Sequence, residues 1–359
     1  MKWSLKLGRV AGIRILVHWT FVILLAWVAF SEAQRGSDLP TTLLAMGFIL
    51  AVFLCVVLHE LGHALTAQRY GINTKMITLL PIGGVASLER MPEKPKQELL
   101  IAVAGPAVNV VIALLLWLVL PSLTSVPTEE FFMRITPGNF LYLLLFVNVI
   151  LVLFNAIPAF PMDGGRVLRA LLAFKLGRVR ATQIAANLGQ LLAIGFVFIG
   201  FFYNPFLILI GAFVFFGAYS ENIMVQHLDY LRGHKVKEGM ITHFVTLAPT
   251  ETVRQALDKL LAGSEHEFVV EKEGAVIGTL TRSQLIQAVK EDMMQKPVVE
   301  IMSGDVKTFN VHDKLSEVYT ELQKTRVPLY PVLENGRLAG VINTDNINEF
   351  ILIKSALTH

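Results

Sequence analysis

One stretch, FLCVVLHELGHALTA at residues 53–67, constrains the fold because it places ionisable side chains inside an apolar run long enough to cross a bilayer. His59 and His63 are four residues apart, so an α-helix brings both imidazoles onto one face, with Glu60 beside them. Ionisable groups at membrane depth are costly and usually functional. The spacing predicts two metal ligands and a general base, and it requires a third ligand elsewhere. The alternative is a pair of buried core histidines satisfied by hydrogen bonds.

The composition excludes an ordinary soluble domain. Of 359 residues, 54% are hydrophobic and only 16% are charged, whereas charged residues make up about 25% of soluble proteins. Charged residues become dense after about Asp229, where the long apolar runs stop, which predicts a membrane part followed by a soluble tail. The net charge of +3 comes from basic residues at the expected membrane edges, so no nucleic acid partner is predicted. The single cysteine, Cys55, is expected to be a small buried packing residue.

The apolar runs predict a polytopic α-helical membrane protein. Stretches of spanning length give about six transmembrane helices, near residues 13–31, 41–67, 99–120, 139–160, 188–202 and 205–221. The first lacks a clear cleavage site and is expected to be a retained span. Basic residues concentrate before it and in the connections 68–98 and 161–187, so both termini are expected in the cytoplasm and the protein in the plasma membrane. His59 follows Thr41 by 18 residues, about 27 Å of helix, which places the motif toward the cytoplasmic side.

The third ligand is expected at the inner end of the fourth span, which reads FNAIPAFPMDGGR. Two prolines and a double glycine predict that the helix unwinds there and presents Asp163 from an irregular segment. Asp163 would then lie at the depth of the two histidines, although a solvated aspartate in a turn is the alternative. Asn155 lies eight residues earlier, and its amide could donate to a developing oxyanion or hold unwound backbone.

Three further features reach the same level of the membrane. Asn109, in the AGPAVN run, has either a role in the site or a place in a small-residue helix contact. His18 is expected to be a hydrogen-bonded histidine at the membrane interface, and a residue that lines the cavity is the alternative. Residues 71–91 mix β-branched residues with a Gly pair, which predicts a hairpin at the inner face. Such a hairpin could receive an extended substrate by strand addition, or it could be an ordinary loop.

The tail contains an internal repeat with a constant offset of 62 residues, pairing Met240 with Met302 and Gly278 with Gly340. Each repeat is predicted to have a short strand, a helix, two strands joined by a Gly turn, and a closing helix. The predicted domains are a membrane domain at 1–225, a linker at 226–237, and α/β repeats at 238–296 and 297–359.

The membrane part resembles the site-2 protease family of intramembrane zinc metalloproteases. The resemblance rests on HELGHA, LLPIGGVASLERMP, AGPAVN and FNAIPAFPMDGGR, and covers roughly the first 220 residues. It implies that one zinc ion is bound by His59, His63 and Asp163, that Glu60 is the catalytic acid/base, and that Asn155 assists substrate or oxyanion binding. It also implies membrane-spanning protein substrates, such as anti-sigma-like factors, other regulators or signal peptide remnants, as in regulated intramembrane proteolysis.

The tail resembles a tandem pair of CBS domains, a cytosolic module that often binds adenosine nucleotides. In that family a Thr or Ser and an Asp three residues later contact the ribose. Here Thr281 is followed by Gln284, and Asn343 by Asn346, so both carboxylates are absent. Thr281 is the candidate nucleotide contact, and a module that only forms a homodimer or gates substrate access is the alternative.

The competing function is a CBS-regulated membrane sensor or transporter that is not an enzyme. Transport predicts polar residues spread through the depth of the bilayer. The strongest motifs of this chain gather at one side instead, which favours the protease.

Overall fold

The computed structural model describes residues 4–81, 83–88, 92, 94–121, 131–132, 134–263, 265–325 and 327–357. The chain divides into two compact units, Met1–Val225 and Gln226–His359.

The first unit is built mainly from helices, most of them apolar. In chain order they are α1 (Thr20–Gln34), α2 (Leu39–Gln68), α3 (Pro95–Val119), α4 (Phe140–Ala156), α5 (Asp163–Leu176), α6 (Arg178–Phe202) and α7 (Pro205–Tyr230). Within the described residues, α2, α3, α6 and α7 are long and apolar enough to cross a membrane, while α1 and α4 are apolar but shorter. The prediction of a polytopic α-helical membrane protein is confirmed. Because α7 continues to Tyr230, the first residues of the predicted 226–237 linker are helical.

The predicted first span is wrong at its start. Ile13–His18 forms a strand, β2, which pairs antiparallel with β1 (Ser4–Val10), and the helix begins only at Thr20. The alternating β-branched residues Ile13, Ile15 and Val17 favour a strand. Their side chains are buried in one apolar cluster with Phe53, Val57 and Leu61 of α2.

The predicted hairpin is present. Its strands β3 (Thr74–Leu80) and β4 (Gly83–Leu88) pair antiparallel, and residues 89–91 lie outside the described residues. Because β3 also pairs in parallel with β2, the four strands form one sheet in the order β1-β2-β3-β4. Within this sheet β4 is therefore an edge strand.

The segment before Asp163 is irregular as predicted, but Asp163 and the double glycine are not part of it. The irregular stretch covers residues 157–162, and α5 begins at Asp163. Gly164 and Gly165 lie in its first turn because the chain folds back closely there. A Cβ at Gly164 would lie 2.7 Å from the Ala156 carbonyl carbon, so only glycine fits. The fifth predicted span likewise begins earlier than residue 188, since α6 starts at Arg178.

The second unit consists of two α/β repeats preceded by α8 (Val236–Gly239). The first repeat contains β5 (Thr246–Leu247), α9 (Val253–Ala262), β6 (Glu267–Lys272), β7 (Ala275–Thr281) and α10 (Arg282–Lys290). The second contains β8 (Phe309–Asn310), α11 (Leu315–Thr325), β9 (Leu329–Glu334), β10 (Arg337–Asn343) and α12 (Thr344–Leu357). Their three-stranded sheets have equivalent orders, β5-β6-β7 and β8-β9-β10. The predicted internal repeat is therefore confirmed.

The two repeats exchange short segments. Ile241, near the start of the predicted first repeat, donates to the Val341 carbonyl at 2.8 Å and accepts from Val341 at 3.0 Å. Ser303, which follows the first repeat, makes the corresponding pair of hydrogen bonds with Thr279. Each of these pairs joins a residue of the segment predicted as the first repeat to a residue of the segment predicted as the second.

Candidate metal centre

Three side chains that the sequence marked as metal ligands converge in the first unit. Asp163 Oδ2 lies 3.1 Å from His59 Nε2 and 3.0 Å from His63 Nε2, and the two Nε2 atoms are 3.1 Å apart. All three residues are buried. The two histidines lie one turn apart on α2, and Asp163 reaches them from the first turn of α5. Helix periodicity and the close turn before α5 thus place the three donor atoms around one point.

The outer ring nitrogens of both histidines face hydrogen-bond acceptors. His63 Nδ1 lies 2.7 Å from the Ile101 carbonyl oxygen, which can only accept, so Nδ1 carries the hydrogen. His59 Nδ1 donates in the same way to Asn109 Oδ1 at 2.5 Å. When the rings are neutral, each Nε2 therefore directs its lone pair toward the Asp163 carboxylate. Three electron-rich atoms this close together repel one another unless a cation lies among them.

The donor set fits zinc. Zinc binds imidazole nitrogen and carboxylate oxygen at about 2.0–2.2 Å, so ligand atoms around one tetrahedral ion are about 3.3 Å apart. The observed separations of 3.0–3.1 Å are close to this value. Three protein ligands leave one coordination position open, as in catalytic rather than structural zinc sites.

Helix α3 packs directly against the two histidines. A Cβ at Gly105 would lie 2.5 Å from His63 Cε1, and a Cβ at Gly62 would lie 2.7 Å from the Ala104 carbonyl oxygen. Glycine at both positions lets α2 and α3 approach closely enough for α3 to support the imidazoles. Both sequence interpretations of the AGPAVN run therefore hold, because it provides a small-residue contact and also places Asn109 against His59.

Glu60 faces the sheet. A Cβ at Gly84 would lie 2.7 Å from Glu60 Cγ, so the glutamate side chain lies against the backbone of β4. The candidate general base is thus held between the metal-ligand helix and an edge strand.

Sequence analysis missed Asn148 of α4. Asn109 Nδ2 donates to Asn148 Oδ1 at 2.8 Å, and Asn148 Nδ2 donates to the Leu144 carbonyl at 2.8 Å and to Cys55 Sγ at 3.5 Å. Both asparagines are fully buried. Asn148 could have been found with the argument used for the histidines, since it is a polar residue in the middle of an apolar span. Cys55 is buried, as predicted.

A buried ion network was also missed. Arg169 of α5 donates through Nε to Glu98 Oε1 at 2.7 Å and through Nη1 to Glu221. Glu98 lies on α3 and Glu221 on α7. The network joins α5, which begins at Asp163, to two other helices of the membrane unit.

Two other predicted residues bond locally. Asn155 Nδ2 donates to the Leu151 carbonyl of its own helix at 3.0 Å, so its catalytic role stays a prediction. His18 Nδ1 lies 2.8 Å from Thr20 Oγ1.

In the tail, Thr281 caps α10. Its hydroxyl accepts from the Gln284 backbone N–H, and Gln284 Oε1 accepts in return from the Thr281 backbone N–H at 2.9 Å.

A helical membrane unit with a His-Glu-x-x-His helix and a carboxylate at the third position defines a membrane-embedded metallopeptidase. Comparisons with known proteins also indicate a metallopeptidase. The family model described as peptidase family M50 matches residues 47–136 and 124–196, and the CBS domain model matches residues 235–291 and 298–353.

Relatives extend this similarity over the whole chain. A zinc metalloprotease of Methanocaldococcus jannaschii is 34% identical over 97% of this chain and 96% of its own length. Stage IV sporulation protein FB of Bacillus subtilis is 24% identical over 68% of this chain and 84% of its own. A solved site-2 protease structure from M. jannaschii is 39% identical, covering 61% of this chain and 95% of that chain with a TM-score of 0.45. The chain belongs to peptidase family M50, the site-2 proteases, and is an intramembrane zinc metallopeptidase with a CBS-domain pair.

Proposed function

We propose that His59, His63 and Asp163 hold the zinc ion and that Glu60 is the general acid/base of peptide hydrolysis. The observation that carries this proposal is the convergence of His59 Nε2, His63 Nε2 and Asp163 Oδ2 within 3.1 Å of one another. Both outer Nδ1 atoms are engaged as donors, which leaves the inner nitrogens as ligands.

Zinc in such a site supplies Lewis acidity and lowers the pKa of water at its open position. Glu60 accepts a proton from the attacking water and returns it to the leaving amine nitrogen. Asn155 is proposed as a further donor to the developing oxyanion, which requires its amide to leave the Leu151 carbonyl when substrate binds.

The substrate is proposed to be a membrane-spanning protein that adds to β4 as an extended strand. A helical peptide must unwind before its amide can be attacked, and an edge strand offers unpaired N–H and C=O groups to an extended segment. The contact between Glu60 and Gly84 would place such a segment beside the general base. Suitable substrates are anti-sigma-like factors, other regulators and signal peptide remnants, cleaved near the cytoplasmic face of the plasma membrane.

The CBS pair is proposed to assemble the protease as a homodimer or to gate substrate access from the cytoplasm, where both termini would lie. An adenosine nucleotide at Thr281 would have to compete with the cap of α10, because the Thr281 hydroxyl already accepts from the Gln284 N–H.

The test is cleavage of a membrane-spanning substrate by purified protein in liposomes. Glu60→Gln is expected to lower the cleavage rate about 10²- to 10⁴-fold, the usual contribution of a general acid/base, with one zinc per chain retained. Glu32→Gln is the control, since Glu32 is a glutamate of α1 that accepts hydrogen bonds from Arg35 and Ser37, just beyond the end of its own helix. Unchanged cleavage after Glu60→Gln, or after chelation of zinc, would show that the proposed mechanism is wrong.

A further inference from the structure

We propose that Asn148 is a positioning residue for the zinc centre. By orienting the Asn109 amide, it fixes which ring nitrogen of His59 carries the hydrogen. The inference rests on the proposed ligand set, but it concerns two residues that do not touch the metal position.

The two histidines are supported by different kinds of groups. His63 Nδ1 donates to the Ile101 carbonyl, a main-chain acceptor that offers no alternative. His59 Nδ1 instead faces the Asn109 amide, whose oxygen accepts and whose nitrogen donates. A half-turn of this amide would present Nδ2 to His59, which would move the ring hydrogen to Nε2, the proposed ligand atom. Only His59 therefore needs an additional device to hold its tautomer.

Asn148 is that device. Its Oδ1 accepts from Asn109 Nδ2 at 2.8 Å, which directs Asn109 Oδ1 toward His59. Asn148 is itself oriented because its Nδ2 donates to the Leu144 carbonyl at 2.8 Å, again a main-chain group that only accepts. The Leu144 carbonyl on α4 thus orients the Asn148 amide, which orients the Asn109 amide, which in turn accepts from His59 Nδ1 on α2.

Burial makes the relay selective. Asn109 and Asn148 are both 0% exposed, between helices that are otherwise apolar. Without water, an amide turned the wrong way would leave buried donors and acceptors unpaired, at about 1–3 kcal/mol for each group. The correct orientation is therefore strongly preferred over the reversed one.

Loss of Asn148 should reverse the preferred orientation of the Asn109 amide. In an Asn148→Leu variant, Asn109 Nδ2 has no acceptor on α4, and turning the amide lets it donate to His59 Nδ1. The His59 hydrogen then lies on Nε2 and opposes zinc binding. In an Asn109→Asp background the same loss should have little effect, because a carboxylate accepts through either oxygen and has no wrong orientation.

The experiment measures zinc affinity of the full-length protein in detergent by chelator competition, together with the visible absorption of the Co²⁺-loaded protein. Asn148→Leu is expected to weaken zinc binding about 10- to 100-fold and to alter the cobalt spectrum, as outer-shell changes do. In the Asn109→Asp background, Asn148→Leu should weaken binding less than about threefold. Asn139→Leu is the control: Asn139 is a buried asparagine preceding α4 that donates to the Phe131 and Arg134 carbonyls.

The outcomes are distinct. Equal losses from Asn148→Leu in both backgrounds, or an equal loss from Asn139→Leu, would reduce Asn148 to a packing residue and overturn the inference alone. A parent protein that binds no zinc would overturn the proposed ligand set together with the inference.

Discussion

The membrane unit and the tail differ in the side chains that they bury. Among the described residues, every buried polar or charged side chain, tyrosine aside, lies in the membrane unit: Glu32, His59, His63, Thr74, Thr78, Glu98, Asn109, Asn139, Asn148, Asp163, Arg169 and Thr182. The described core of the tail is made of aliphatic and aromatic residues, such as Val270, Leu280 and Ile342. The membrane unit, which would face lipid, therefore has buried polar side chains. The tail, which would face water, has a core of aliphatic and aromatic residues.

The buried polar side chains mark where metal-binding or catalytic groups can lie. In the membrane unit the inner polar groups form connected networks around His59 and Arg169. In the tail, Thr281 and Asn343 accept from the backbone N–H groups of Gln284 and Asn346 and cap the helices that follow them. Substitutions in both units test this contrast.

Asp163→Asn is expected to have the largest effect, because it removes the only anionic ligand of the proposed set. Zinc affinity should fall by more than about 100-fold, since outer-shell partners alone are worth about 10- to 100-fold, and cleavage should be lost. Metal analysis of the purified protein checks this prediction. Asp38→Asn is the control: it caps α2 through Thr41, and asparagine is an equally good cap. Full zinc occupancy in Asp163→Asn would show that Asp163 is not a zinc ligand.

Arg169→Leu should lower the free energy of unfolding by about 3–5 kcal/mol, because it leaves Glu98 and Glu221 as buried charges without their partner. Denaturant titration in detergent measures the change. Arg35→Leu removes a more exposed arginine from a pair with Glu32 and should cost less than about 1 kcal/mol. Similar losses in both variants would show that burial does not strengthen polar networks in this unit.

Gly105→Ala should weaken zinc binding about 10-fold or more, because the added methyl group would displace the His63 ring. Gly195→Ala, on α6 with open space around its Cβ position, should leave zinc binding unchanged. Chelator competition measures both. Equal zinc affinity in the two variants would mean that α3 does not position His63.

Thr281→Ala should have the smallest effect, a loss of about 1 kcal/mol from the tail through the lost cap of α10. Asn343→Ala should cost a similar amount, because Asn343 Oδ1 accepts from the Asn346 N–H at 2.8 Å. Amide hydrogen exchange of the closing helices checks both values. Unchanged exchange in both variants, with loss of adenosine nucleotide binding, would make these positions a ligand site rather than caps.

Much of the candidate site could be predicted because its residues break strong local rules. Histidines in an apolar span, and an aspartate after two prolines, are visible in the sequence without knowledge of the fold. Asn148 is visible by the same rule, but its pairing with Asn109 is not, and neither is the pairing of Arg169 with Glu98. Arg169 lies 71 residues from Glu98, and Asn148 lies 39 from Asn109, so no local pattern connects them.

The errors in the fold have related causes. Ile13–His18 is as apolar as the helix that follows, and hydropathy alone cannot tell a span from a buried strand. Propensity predicts that Gly164 and Gly165 break the helix, whereas close backbone contact with residues 156–160 requires them in the first turn of α5.

The exchange of segments between the repeats governs when the tail can be completed during synthesis. Ile241 pairs with Val341, about 100 residues later in the chain. At about 5–20 residues per second, a ribosome needs about 5–20 s to make the intervening chain. The helices of the membrane unit have been made before this interval begins. Ile241 cannot form its backbone hydrogen bonds until Val341 has been made. An emerging chain would therefore contain the zinc-ligand residues before its tail could close.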